Sequence, residues 1–109
     1  MSRPPRMTMA TQLVLRALLA DPTEELYGSE IGDAAGLMSG TVHPILARLE
    51  SAGWVESRWE DVDPQVAGRP ARRYYRITPL GTETARAETR RLQDLVKIAR
   101  AHGLASAKA

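Results

Sequence analysis

Two residues, Leu37 and Met38, are all that separate a helix stop at Gly36 from a helix start at Ser39. Upstream, Gly28 to Gly36 reads as a short helix, with Ser29 available as its cap and Ile31, Ala34 and Ala35 as its buried face. Downstream, a helix runs from about Ser39 or Thr41 to Ala52, and Gly53 ends it. In it Val42, Ile45, Leu46 and Leu49 fall at i, i+3, i+4 and i+7, one apolar stripe. Two helices joined by so tight a turn make a helix-turn-helix. That pairing limits the chain more than any other feature.

The rest of the chain builds around that pair. Thr8 to Ala20 carries Leu13, Leu15, Leu18 and Leu19 with Met9 and Ala17, an amphipathic helix capped by Thr8 and ended by Asp21-Pro22. Glu24 to Tyr27 is long enough only for a strand-like link. Trp54 to Trp59 loosely alternates and reads as a strand, and Glu60 to Ala71 reads as a loop from its Pro, Gly and Asp content. Arg72 to Ile77 then pairs back on the first strand, giving a hairpin with a long tip. Thr78 caps a last helix with Pro79 at its first position, running to about Ala101. The fold expected is mainly α with a small β-hairpin: a winged helix-turn-helix followed by a long C-terminal dimerisation helix. The divisions are a flexible basic arm at 1–7, a winged domain at 8–78, the dimerisation helix at 79–103 and a frayed tail at 104–109.

Pro44 lies inside the best amphipathic helix. A proline deep in a helix costs about 3 kcal/mol, through a missing hydrogen bond and a clash with the carbonyl four residues back. If Thr41 is the cap, Pro44 falls in the first turn, where its missing N–H had no partner to lose. With Ser39 as cap, the crowded carbonyl is that of Gly40, at the fraying end. Either way a distorted or delayed first turn is expected.

Composition bounds the remaining choices. At 109 residues the chain is one domain with one modest core. Phenylalanine and cysteine are absent, so the core rests on aliphatic residues and no disulfide or thiolate metal site is available. The net charge is only +2, so where the arginines sit matters more than their number. Arg16 and the acids after Asp21 break the early apolar run, no signal-peptide cleavage site stands out, and no stretch nears the roughly 20 apolar residues of a membrane span. A soluble, cytoplasmic protein is expected.

Three helices followed by a hairpin place the third helix in the major groove of duplex DNA and the hairpin tip on adjacent backbone. The segments GTVHPILARLESAGWV, GRPARRYYRIT and PLG also resemble the PadR-type transcriptional regulators, as does LVLRALLADPTEELYGSEIG upstream. The marks are the early proline, the ARLE segment, Gly-Trp-Val opening the wing, and Gly-Arg-Pro…Arg-Arg-Tyr-Tyr ending in Thr-x-x-Gly. They span roughly Leu13 to Gly81. The chain departs from the family in carrying His43 where tyrosine is common, and in a single, aromatic-free C-terminal helix, as in the short members. An aromatic-lined drug site of the kind some members have is therefore not implied. The resemblance implies repression relieved by a small-molecule effector.

With the aliphatic stripe turned inward, Ser39, Gly40, Thr41, His43, Pro44 and Arg48 face outward as candidate DNA contacts. Gly40 allows close approach, and the two hydroxyls donate to phosphate or base edges. His43 contacts DNA or is simply a solvated histidine; Arg48 contacts DNA or pairs with an acid of the first two helices. In the wing, Arg69, Arg72 and Arg73 are candidate phosphate contacts, and Arg76 faces inward or pairs with Glu56. Arg3 and Arg6 on the arm reach DNA or have no role. Trp54 and Trp59 are packing residues, with an effector pocket as the other option. Leu92, Leu95, Val96 and Ala99 form a second stripe that the small hairpin cannot cover. A homodimer covers it and sets a palindromic operator; packing on the chain's own first helix is the alternative.

Neither histidine, His43 or His102, has an acid and a nucleophile gathered around it in sequence, and no phosphate loop or metalloprotease motif is present. No enzyme, no metal and no cofactor is expected. The expected function is a sequence-specific regulator of transcription on double-stranded DNA. The alternative is a winged-helix adaptor that binds protein rather than DNA.

Overall fold

The structure, a computed structural model, describes residues 4–103. Arg3 and the tail at 104–109 lie outside the described residues. The elements are α1 (Met9–Leu19), β1 (Leu26–Tyr27), α2 (Gly28–Ala35), α3 (Ser39–Ser51), β2 (Val55–Trp59), α4 (Pro64–Ala67), β3 (Arg73–Ile77) and α5 (Pro79–Ala101).

Local chemistry sets most boundaries. The Thr8 hydroxyl accepts the Thr11 N–H at 3.1 Å and starts α1. Gly36, left-handed at φ 71°, stops α2. The expected cap at Ser29 is displaced: Tyr27 caps α2, and Glu30 reaches back to accept the Tyr27 N–H at 3.1 Å. Met38 caps α3 through its backbone, its carbonyl accepting from Thr41 at 2.9 Å and Val42 at 3.1 Å.

The distorted first turn expected from Pro44 does not occur, and α3 runs unbroken from Ser39. The reason lies in which bonds start the helix. The N–H groups of Thr41 and Val42 close the first turn before Pro44 is reached. The missing Pro44 N–H deprives only the Gly40 carbonyl, and both residues are exposed to water.

The hairpin belongs to a three-stranded antiparallel sheet in the order β1-β3-β2. Leu26 pairs with Tyr75 and Tyr27 with Tyr74, so the strand-like link after α1 closes one edge. On the other edge Val55 faces Ile77 and Trp59 faces Arg73. The wing loop holds a one-turn helix, α4, begun by the Asp63 carboxylate accepting the Gln65 N–H at 2.9 Å.

The core forms where the four predicted stripe residues of α3 meet Val14, Leu15 and Leu18 of α1, Ile31 of α2, and Trp54, Val55, Tyr75 and Ile77 of the sheet. The buried face of α1 is thus Thr11, Val14, Leu15 and Leu18; Leu13 is half-buried and Met9 is exposed. Along α5 only Gly81 and Ala85 are buried. No helix among the described residues is long and apolar enough to cross a membrane.

Candidate nucleic-acid interface

Because α3 buries Val42, Ile45, Leu46 and Leu49, its opposite face is left in water. Ser39, Gly40, Thr41, His43, Pro44 and Arg48 are all exposed. Ser39 and Gly40, as the first two helical residues, have N–H groups with no partner inside the helix. The His43 ring rests on Gly28, where an added Cβ would come within 2.8 Å of it. This contact orients the ring at the junction of α2 and α3. Arg48 forms no ion pair among the described residues, so it has no acid partner on the first two helices.

The wing arginines have no acid between them in sequence, yet the fold brings acids to three of the four. Arg69 is half-buried and grips Glu60 with both terminal nitrogens, at 2.7 and 3.0 Å. Glu60 also accepts the Arg72 backbone N–H at 3.2 Å. The Arg69 guanidinium, with that N–H, draws the Glu60 carboxyl down to about 2. Arg72 lays its guanidinium over the Tyr27 ring, 4.2 Å from the centroid. Arg73 donates to the Ser57 hydroxyl at 3.0 Å, lies 3.6 Å from Glu50 of α3 and covers the Trp59 ring at 5.2 Å. Arg76 pairs with Glu56 at 2.7 Å, the second of the two options its strand position allowed. The wing is therefore a braced set of guanidiniums, with Arg69 the most committed to an internal partner.

The two tryptophans part company. Trp54 is buried in the core, whereas Trp59 is 61% exposed and serves as the platform for Arg73. Packing therefore accounts for Trp54 and not for Trp59.

Set beside known families, residues 18–87 match the transcriptional regulator PadR-like family. The chain belongs to the PadR family. Its fold is similar to a PadR family transcription regulator from hypervirulent Clostridium difficile R20291, at 22% identity and TM-score 0.70, covering 87% of this chain and 98% of that one. It is similar also to a PadR family transcriptional regulator from Eggerthella lenta DSM 2243, at 24% identity and TM-score 0.65, covering 90% and 86%. The PcaV transcriptional regulator from Streptomyces coelicolor shares the fold at 24% identity and TM-score 0.70, with 85% of this chain and 62% of that one covered. No curated protein matches the chain. As a PadR-type protein it is a DNA-binding transcriptional regulator and not an enzyme.

The family's Thr-x-x-Gly signature has a physical reason here. The Thr78 hydroxyl accepts the Gly81 N–H at 3.0 Å and donates to the Gly53 carbonyl at 2.7 Å, so it caps α5 and ties it to the end of α3. A Cβ on Gly81 would stand 2.0 Å from the Trp54 carbonyl oxygen. Only glycine lets α5 seat on the root of the wing. The acids Glu50 and Glu60, which brace the wing, were not legible as partners because nothing in their local sequence points to the arginines they meet.

Proposed function

We propose that this PadR-type regulator is a cytoplasmic repressor that binds a palindromic operator as a homodimer. Its α3 enters the major groove with Ser39, Gly40, Thr41 and His43 foremost, Pro44 stiffens that end, and Arg48 reaches backbone a turn further along. Arg69, Arg72 and Arg73 carry the wing to adjacent phosphates. A guanidinium braced by one acid keeps further N–H donors for a phosphate. The observation that carries this reading is the exposure of the whole polar face of α3 opposite a fully buried aliphatic stripe.

The dimer is supported by α5. Leu95, Val96 and Ile98 are about half exposed, at 48%, 47% and 55%, on a helix with little else to cover them. Leu92 and Val96 also line an open groove of about 540 Å³ against Leu15 and Leu19 of α1. A partner's α5, packed along Leu92, Leu95, Val96 and Ala99 and into that groove, buries both at once. Repression relieved by a small-molecule effector is the mode the family membership suggests.

Selection of bound duplexes from a random library tests the reading. Two inverted half-sites about one DNA turn apart are expected. No enrichment at low ionic strength, or enrichment of a single unrepeated site, would contradict it.

A further inference from the structure

Val66 at 85% and Met38 at 82% are the most exposed large apolar side chains among the described residues. They stand on the wing loop and at the leading end of α3, the two parts that would meet a duplex. The exposed apolar residues late in α5 have a partner's helix to cover them; these two have none within the protein. A single exposed apolar residue needs no explanation. Met38, however, is not on a loose loop. Its carbonyl holds the Thr41 and Val42 N–H groups, so its Cα is fixed to the start of α3. Its neighbour Leu37 packs against the core, which leaves Met38 directed away from it.

Its surroundings are polar. Ser39, Gly40 and Thr41 follow it, all exposed, and among them Met38 has the one long apolar side chain. Hydroxyls and backbone N–H groups read acceptors on bases or phosphates, and they gain nothing from a methyl group. Thymine is the base that presents an apolar group, its 5-methyl, in the major groove. A thioether chain with three rotatable bonds adapts to such a group without demanding one geometry.

We propose that Met38 is a specificity-determining residue whose side chain covers the 5-methyl of a thymine in each half-site. This rests on the DNA-binding reading above.

The test uses the full chain and the selected operator, with each thymine of the half-site replaced in turn by deoxyuridine, which removes only the methyl. The expected result is one thymine per half-site whose replacement weakens wild-type binding about fourfold, the worth of one buried methyl-sized group. Met38→Ala and Met38→Gln bind the thymine duplex more weakly and no longer distinguish it from that deoxyuridine duplex, while Met38→Leu still does. Arg72→Ala, which removes a backbone contact, weakens both duplexes equally. Met38 buries almost nothing, so unchanged thermal unfolding of the variants is expected. Uniform binding of wild type to every deoxyuridine duplex overturns the proposal, as does equal methyl sensitivity in Met38→Ala. Failure to select any duplex overturns DNA binding itself, and this inference with it.

Discussion

At the scale of single residues, two positions carry more than their size suggests. Gly81 lets α5 approach the Trp54 carbonyl, and a methyl placed there would also stand 2.9 Å from an Ile77 side-chain carbon. Gly81→Ala removes a glycine from the first turn of α5, which alone would favour the helix by less than about 1 kcal/mol. The clash outweighs it, because the backbone it meets cannot swing aside. A net loss of roughly 3 kcal/mol is expected, the upper end for overpacking, read from the urea midpoint. Glu60 is the second. Its carboxyl titrates near 2 in the fold against 4.5 when free. The ionised form is favoured by folding, so the pair's contribution is present above about pH 4.5 and is lost as pH falls toward 2. Glu60→Gln is therefore expected to unfold more easily than wild type at neutral pH. The gap in urea midpoint should close as pH drops through that window; a gap that stays constant to pH 2 would show that the pair contributes nothing.

At the scale of elements, the sequence is legible where the cause is local. The Thr8 and Thr78 caps, the Gly36 stop and the α3 stripe each depend on residues within a turn of one another. It is less legible where the cause is distant. A two-residue strand such as β1 has no pattern of its own and exists because β3 offers it an edge. The one-turn α4 has an Asp63 cap, Pro64 at its first position and Gly68 after its end. Those same residue types make a loop when nothing else is known. Val14, not Leu13, faces the core in α1 because neighbouring helices select the register, and hydrophobicity alone does not. The wing's acid partners come from α3, β2 and the loop after it, and Pro44 is tolerated because the hydrogen bonds that start α3 close ahead of it. The wing yields its own prediction. Replacing Arg72 and Arg73 by Ala should weaken binding to every duplex and reduce the log–log salt slope by about 0.9 for each phosphate no longer neutralised. Titrations at several salt concentrations measure it, and an unchanged slope would remove the wing from the interface.

At the scale of the whole molecule, one helix serves two ends. The first turns of α5 seat on the wing root through Thr78 and Gly81, while its later turns carry an uncovered aliphatic face. In the proposed dimer the α5 contact and the wing are thereby mounted on one element, so pairing two chains would fix the spacing of two α3 helices. Leu95→Glu with Val96→Glu places charge on that face without touching the core. Sedimentation should find a folded monomer, with operator affinity reduced roughly a hundredfold or more as the second half-site is released. A variant that stays dimeric would move the contact elsewhere. The most direct measurement is methylation interference at guanine N7, which reports the major groove alone. Two clusters of interfering guanines on one face of the duplex, about ten base pairs apart, are expected for a pair of α3 helices seated in successive major grooves. Binding that no N7 methylation disturbs would show that α3 does not enter the groove.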